Sequence, residues 1–196
     1  AIGGMWEEMG ELQIDFLISK GLESHHTLLD IGCGTLRGGR HLINYLKPGN
    51  YYGIGIFKCA IEHAKTLVIE ENLSSKNPIL IVSENKNLKF SEFEGTTFDV
   101  LLAQPVFTHL PPEHIEECFA HIRNVMHDES VLYFTYHSGK TYSKKGSKEF
   151  RYPFCFFETF AGQFGLELRD ESIAYAHPRG QRMAEHKTLL VRTSSL

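Results

Sequence analysis

The sequence predicts an α/β fold with a single, mostly parallel sheet of about seven strands, the last one antiparallel, and with helices on both faces. Three observations favour this fold. Short apolar runs alternate with amphipathic helical stretches. The run over residues 98–103 is largely apolar, as in a parallel strand covered on both faces. The tail contains two strand-like runs around a Pro-Arg-Gly turn, and no repeat or linker interrupts the chain, so we expect one domain over residues 1–196.

The composition is that of a folded globular protein. Hydrophobic residues make up 42% and charged residues 22% of the 196, and the formal net charge of -4 shows no basic excess for a nucleic-acid partner. No apolar run approaches the roughly 20 residues that span a bilayer. The four cysteines are widely spaced, without a Cys-x-x-Cys pair. We therefore expect a cytoplasmic protein with free thiols and with no nucleic-acid or membrane partner, and the oligomeric state stays unknown.

The first half of the chain predicts a lead-in helix and two strand-helix units. The lead-in helix covers about residues 5–20 and ends at Gly21. A strand over residues 27–32 is followed by a glycine loop and by a helix that ends before Pro48 and Gly49. A second strand over residues 51–56 leads to a helix over residues 57–71 with one apolar face. The apolar positions of the lead-in helix are Trp6, Met9, Leu12, Phe16 and Leu17.

The second half predicts three more strands of the parallel set, at residues 79–82, 98–103 and 131–135. Pro111 and Pro112 open a helix, since proline is tolerated in a first turn. Residues 138–152 predict a polar loop rich in lysine, and residues 153–164 a helix whose phenylalanines we assign to the core. Two final strands, at residues 166–176 and 182–192, flank a turn at Pro178.

A glycine loop follows the first strand, in the order Asp30, Ile31, Gly32, Cys33, Gly34. Such a loop lets the backbone approach a ligand at the carboxyl edge of the sheet, near a helix N-terminus. The dinucleotide fingerprint needs a third glycine where this chain has Arg37, which disfavours a nicotinamide-dependent dehydrogenase. The motif instead resembles the first motif of class I S-adenosylmethionine-dependent methyltransferases, whose fold is Rossmann-like.

The resemblance extends over most of the chain, because segments 51–54, 82–90 and 98–103 match the family's later motifs in order and spacing. Segments 6–10, 35–39 and 177–183 look like a poorly characterised bacterial subgroup. The resemblance implies S-adenosylmethionine as cofactor and S-adenosylhomocysteine as product. In this family the acid and the loop amides hold the methionine part. The implied cofactor site consists of Trp6, Asp30, Gly32, Cys33, Gly34, Thr35, Arg37, Gly55, Ile56, Glu84, Asn85 and Gln104.

Particular positions of that site have implied roles. Glu84 and Asn85 correspond to the loop near the adenine, Gln104 to the methionine end, and Trp6 to a helix that caps the cofactor. One position departs from the family, since its second strand ends in an acid that binds the ribose hydroxyls and this chain has Gly55 there. Two interpretations follow: an enzyme with weakened or rearranged ribose contacts, or a cofactor-binding module that has lost catalysis.

Two histidines are candidates for the catalytic base. Methyl transfer from a sulfonium is an in-line displacement, so the protein supplies alignment and, for an oxygen or nitrogen acceptor, a base. His109 follows the fourth strand and His137 the fifth, at the edge where the cofactor is expected, and histidine titrates near neutral pH. The alternative for both is a packing or hydrogen-bonding role in their loops.

The acceptor is expected to be a small or medium-sized molecule, such as a carbohydrate or a metabolite. A lysine-rich segment after the fifth strand could capture an anionic acceptor, although a solvated loop also explains it. The run from Gln104 to Phe107 lacks the Asn/Asp-Pro-Pro-Tyr tetrapeptide of amide and base methylases, which disfavours methylation of nucleobases. Eleven histidines show no metal-ligand spacing, so no metal is predicted. In the lysine-rich segment after the fifth strand, the basic residues are Lys140, Lys144, Lys145, Lys148 and Arg151, with Tyr142 and Tyr152 among them.

Overall fold

The computed structural model describes residues 6–146 and 149–171, together with the backbone of residues 182–188. Strands and helices alternate over most of this range, as the sequence predicts. The helices are α1 (Trp6–Ser19), α2 (Gly39–Tyr45), α3 (Lys58–Glu70), α4 (Pro112–His121) and α5 (Phe154–Gln163). The strands are β1 (Leu28–Ile31), β2 (Tyr51–Gly55), β3 (Ile79–Val82), β4 (Phe98–Ala103), β5 (Met126–Ser138), β6 (Ser143–Lys145), β7 (Glu149–Tyr152), β8 (Leu166–Asp170) and β9 (Arg182–Thr188).

Seven strands form the main sheet in the order β3-β2-β1-β4-β5-β9-β8. Strands β1 to β5 pair in parallel, and β9 runs antiparallel to both β5 and β8. This arrangement confirms the predicted sheet with an antiparallel last strand. The chain reverses its direction of travel across the sheet between β1 and β4, and in such sheets ligands bind in the crevice at the carboxyl ends of those strands.

The two faces of the sheet carry separate apolar cores. On one face, side chains such as Leu28 and Leu102 pack with α1, α2 and α3. On the opposite face, Leu29 and Leu101 pack with α4 and α5. Phe157 of α5 is fully buried against the second core, which agrees with the prediction that this helix supplies core residues. Two covered faces explain why β4 is apolar at nearly every position.

The chain after β5 differs from the expected loop over residues 138–152. Strand β5 continues to Ser138, and β6 and β7 then form an antiparallel hairpin whose second strand pairs in parallel with the end of β5. Phe150 and Tyr152 alternate with exposed residues and are buried, so β7 has one apolar face. The loop prediction was therefore wrong for most of this segment, because the many lysines obscured a two-residue alternation.

Two other sequence predictions extend beyond the described residues. Within the described residues the lead-in helix begins at Trp6, and its predicted start at residue 5 lies outside them. The turn at Pro178 and the predicted strand ends near residues 176 and 192 also lie outside it.

Candidate functional site

The glycine loop lies between β1 and α2, at the point where the sheet order reverses. Gly32 has a φ of +73° and Gly34 a φ of +56°, in the left-handed region that favours glycine. A Cβ on Gly32 would lie 2.7 Å from Cγ2 of Val106 in the loop after β4. The glycine loop and the Val106 side chain therefore lie so close together that residue 32 has no space for a side chain.

The first amides of the glycine loop are already hydrogen-bonded. The N–H groups of Gly32 and Cys33 both donate to the carbonyl of Ile54, at 2.8 and 3.1 Å. Within the described residues, the amides of Gly34 and Thr35 donate to no acceptor. Of the loop positions assigned to the cofactor, these two have N–H groups available for a ligand.

Asp30 is the buried acid at the end of β1. Its carboxylate accepts a hydrogen bond from the Tyr51 hydroxyl at 2.7 Å. Burial raises the pKa of Asp30 to about 6, although the Tyr51 hydrogen bond and the charge of Arg37 act in the opposite direction. A buried carboxylate with a raised pKa gains stability when a cation approaches, so this position suits a ligand that brings an ammonium group.

Cys33 lies in the loop but points away from the ligand side. Its side chain is buried in the core beneath α2, and a Cβ on Gly53 of β2 would lie 2.9 Å from its Sγ. Burial and the neighbouring Asp30 charge raise the pKa of the Cys33 thiol. The thiol is therefore neutral and packs against β2, and a contact between Cys33 and the cofactor stays a prediction.

A cleft of about 370 Å³ lies beside the ends of β2 and β3. The exposed side chains of Ile56 and Phe57 form its apolar wall. Phe57, 66% exposed, was not among the expected site residues, since the sequence assigned it to the start of the helix over residues 57–71. Asn85 is exposed and lies outside the cleft lining. The lining consists of Ile56, Phe57, Lys58, Cys59, Val82, Ser83, Glu84 and Lys86.

Gly55 ends β2 next to this cleft. Its carbonyl accepts a hydrogen bond from the Ser83 amide at 2.9 Å, which places the start of the loop after β3 beside it. A Cβ built on Gly55 would contact only the Ile61 side chain, at 3.3 Å and beyond. A side chain at this position therefore needs only a small shift of the Ile61 side chain, and no backbone atom stands against it.

Helix α1 packs directly on the glycine loop and α2. A Cβ on Gly10 would lie 2.7 Å from the Arg37 carbonyl, and one on Gly38 would collide with the amide of Gln13. Glu7 pairs with Arg40 of α2. Trp6 is half-buried at the first turn of this helix and outside the cleft lining. The structure thus brings α1 to the glycine loop, and the capping role of Trp6 stays a prediction.

The two candidate bases lie near each other at the same edge of the sheet. His109 is exposed in the loop after β4, and His137 is half-buried near the end of β5. Burial lowers the pKa of His137, and the charge of Arg151 lowers it further, with a contribution from His109. A histidine with a lowered pKa is neutral at physiological pH and can accept a proton. Gln104, 5% exposed, follows β4 beneath this region.

The β6–β7 hairpin is attached to the loop that carries His109. The Phe150 amide donates to the Thr108 carbonyl at 3.0 Å, and the Tyr152 hydroxyl donates to the Leu110 carbonyl at 2.5 Å. The register between β5 and β7 pairs His137 with Arg151, so their side chains share one face. The hairpin therefore forms a wall beside both histidines, with one cation next to His137.

A second cavity, of about 200 Å³, opens at the opposite, amino edge of the sheet. There Asp99 accepts hydrogen bonds from the Thr27 amide at 2.6 Å and its hydroxyl at 2.8 Å, and it lies 3.2 Å from Nε2 of His127. These contacts tie β4 to the chain before β1 and to the start of β5. Because the cluster is at the edge away from the glycine loop, we assign it to fold stability.

Two further searches concern the described residues alone. No three His, Cys, Asp or Glu side chains there come together in a way that could hold a metal ion. No helix in that part of the chain is long and apolar enough to cross a bilayer.

The sequence model of the methyltransferase domain matches residues 29–132, which is more than half of the chain. Magnesium protoporphyrin IX methyltransferase from Synechocystis PCC 6803, solved with bound S-adenosylmethionine, is similar with a TM-score of 0.71 and 15% identity, over 96% of this chain and 86% of that one. An S-adenosylmethionine-dependent methyltransferase from Clostridium acetobutylicum ATCC 824 is similar with a TM-score of 0.69 and 13% identity, over 93% and 92%. A TehB-like methyltransferase from Corynebacterium glutamicum gives 0.65 and 19%, over 91% and 87%. At these identities the solved structures establish the fold.

Proposed function

Because the chain belongs to the methyltransferase domain family, we propose that it transfers the methyl group of S-adenosylmethionine to a small or medium-sized acceptor and releases S-adenosylhomocysteine. The observation that carries this proposal is the buried Asp30 carboxylate beneath a glycine loop with two free amides, at the reversal point of the sheet. The apolar cleft next to the loop has the size and lining expected for a nucleoside.

The residues present fit this cofactor. Asp30 would hold the ammonium of the methionine part, and the amides of Gly34 and Thr35, together with Arg37, would hold its carboxylate. Ile56 and Phe57 would cover the adenine. When bound, the cofactor supplies an electrophilic methyl group on a sulfonium. The protein's part is then to fix the direction of approach and to exclude water.

We assign the base to His137, with His109 as its neighbour. The lowered pKa of His137 leaves its imidazole neutral and able to take the proton of an acceptor hydroxyl or amine as the new bond to the methyl group forms. Arg151, on the same face, would attract a carboxylate or phosphate on the acceptor. We therefore propose an anionic acceptor with an oxygen or nitrogen nucleophile, and neither a nucleic acid nor a membrane as partner.

The proposal is tested by S-adenosylhomocysteine release in a panel of small hydroxyl- and amine-bearing molecules, supplied as matched pairs with and without a carboxylate or phosphate. We expect turnover with the charged member of at least one pair. Arg151→Gln should lower kcat/KM for that member and leave the neutral one unchanged. Turnover with neutral members alone would contradict the anionic acceptor.

A second candidate, a cofactor-binding module without catalysis, is favoured by Gly55. The two candidates differ in one outcome. Tight binding of S-adenosylmethionine without turnover of any member of the panel would support the module. Binding with turnover would support the enzyme.

A further inference from the structure

The carboxylate missing at Gly55 leaves the ribose hydroxyls of an adenosine in the cleft without their usual acceptor. Three glutamates lie on the segments around this position: Glu62 on α3, Glu84 after β3 and Glu92 in the short helical turn that follows. Their contacts differ, and these contacts decide which carboxylate is available.

Two of the three lie outside the cleft and have partners of their own. Glu62 lies 3.9 Å from Nζ of Lys58, one helical turn earlier, and is outside the cleft lining. Glu92 accepts a hydrogen bond from the Ser83 hydroxyl at 2.6 Å and is also outside that lining. Neither residue lines the cleft.

Glu84 differs in both respects. It lines the cleft, two positions past the residue that pairs with Gly55 in the β2–β3 register. Ser83, the residue before it, donates its amide to the Gly55 carbonyl at 2.9 Å, which anchors the turn that carries Glu84. In the part of the chain described by the structure, the Glu84 carboxylate makes no hydrogen bond or ion pair, although Lys58 and Lys86 line the same cleft.

We propose that Glu84 is the ribose-binding acid of this chain, and that it takes the place of the carboxylate that Gly55 lacks. The assignment rests on the proposed function, since it presumes that an adenosine occupies the cleft. It moves Glu84 from the adenine, where the family resemblance puts its position, to the two ribose hydroxyls. A carboxylate that accepts both hydroxyls makes two charge-assisted hydrogen bonds.

The experiment is a calorimetric titration of the full chain with S-adenosylhomocysteine and with its 2′,3′-dideoxy analogue. Glu84→Gln should weaken S-adenosylhomocysteine about tenfold or more, the effect expected when a hydrogen bond to a charged group is lost. The same substitution should change the affinity for the dideoxy analogue less than about twofold, because that analogue lacks the hydroxyls with which Glu84 would interact. Removing the carboxylate and removing the hydroxyls are then not additive in free energy, as expected for groups in direct contact. Glu62→Gln is the matched control and should leave both affinities unchanged.

A rescue variant keeps the test independent of folding. In the double variant Gly55→Asp with Glu84→Gln, we expect S-adenosylhomocysteine affinity to return to within a few fold of the unchanged chain, since the aspartate restores a carboxylate at the end of β2 and its Cβ meets only the Ile61 side chain, at 3.3 Å. Equal weakening of both ligands by Glu84→Gln, or no weakening of either, would overturn this inference alone. Failure of the unchanged chain to bind S-adenosylhomocysteine at millimolar concentration would overturn the proposed function together with it.

Discussion

Replacing Asp30 by asparagine should make the fold more stable, although it removes the carboxylate that would bind the ammonium group of the cofactor. Burial raises the pKa of Asp30 from 3.8 to about 6, so the folded protein penalises the charged carboxylate relative to the unfolded chain. This destabilisation is absent below the pKa of the unfolded chain, 3.8, and fully present above the pKa of the folded protein, about 6. At about 1.36 kcal/mol per pH unit, the difference amounts to about 3 kcal/mol above pH 6. Asparagine carries no charge and can still accept the Tyr51 hydrogen bond.

Urea denaturation of the two chains between about pH 5 and pH 8 measures this effect. We expect the free energy of unfolding of Asp30→Asn to exceed that of the unchanged chain by up to about 3 kcal/mol at pH 8 and by about half as much at pH 5. Asp15→Asn, on the exposed side of α1, is the control and should change the free energy of unfolding by less than about 0.5 kcal/mol. A variant less stable than the unchanged chain at pH 8, or a difference independent of pH, would refute the reasoning.

Three further predictions concern the glycine loop, the base and the amino edge. Gly32→Ala should cost more stability than Gly49→Ala in thermal unfolding, because each places an alanine at a positive φ, at about 1 to 2 kcal/mol, but only the alanine at residue 32 also meets a neighbouring side chain; equal losses would contradict the close approach of the two loops. His137→Ala should lower kcat about 100-fold or more and leave S-adenosylhomocysteine affinity unchanged in calorimetry, whereas His63→Ala on α3 should alter neither; a full kcat in the first variant would exclude a base role. Thr27 and His127 lower the pKa of Asp99 against the effect of burial, so its contribution to stability is present above the unfolded pKa of 3.8 and lost as the pH falls through the folded value. Asp99→Asn should therefore unfold more easily in urea at pH 7 and approach the unchanged chain in acid; a constant difference would contradict this sign.

The succession of strands and helices along the chain and the place of the glycine loop could be predicted because they depend on local patterns. The apolar run of β4, the acid and glycines after β1 and the helical spacing of α1 each lie within a few residues of sequence. The identity of Asp30 as the buried acid at the loop could be predicted in this way. Its hydrogen-bond partner could not, since Tyr51 lies 21 positions away and meets Asp30 only when β1 and β2 pair.

Other features of the site depend on contacts between distant segments. The Cys33 thiol packs against Gly53 of β2, where the missing side chain leaves space for it. No local pattern encodes this contact, because the two residues are 20 positions apart in the sequence. The β6–β7 hairpin forms because Phe150 and Tyr152 find partners in the loop after β4, while their lysine-rich surroundings are typical of a solvated loop. The availability of Glu84 became evident only once the contacts of Glu62 and Glu92 were known.

The central claim is that Asp30 holds the ammonium of S-adenosylmethionine at the glycine loop, and the pH dependence of binding tests it most directly. Calorimetric titration of the unchanged chain and of Asp30→Asn with S-adenosylmethionine at about pH 7.5 and pH 5 is the measurement. Because the pKa of the unliganded carboxyl is about 6, we predict that the unchanged chain binds about tenfold more weakly at pH 5, while Asp30→Asn binds weakly at both values. Equal affinities of the two chains, or an affinity of the unchanged chain that does not fall in acid, would contradict the claim.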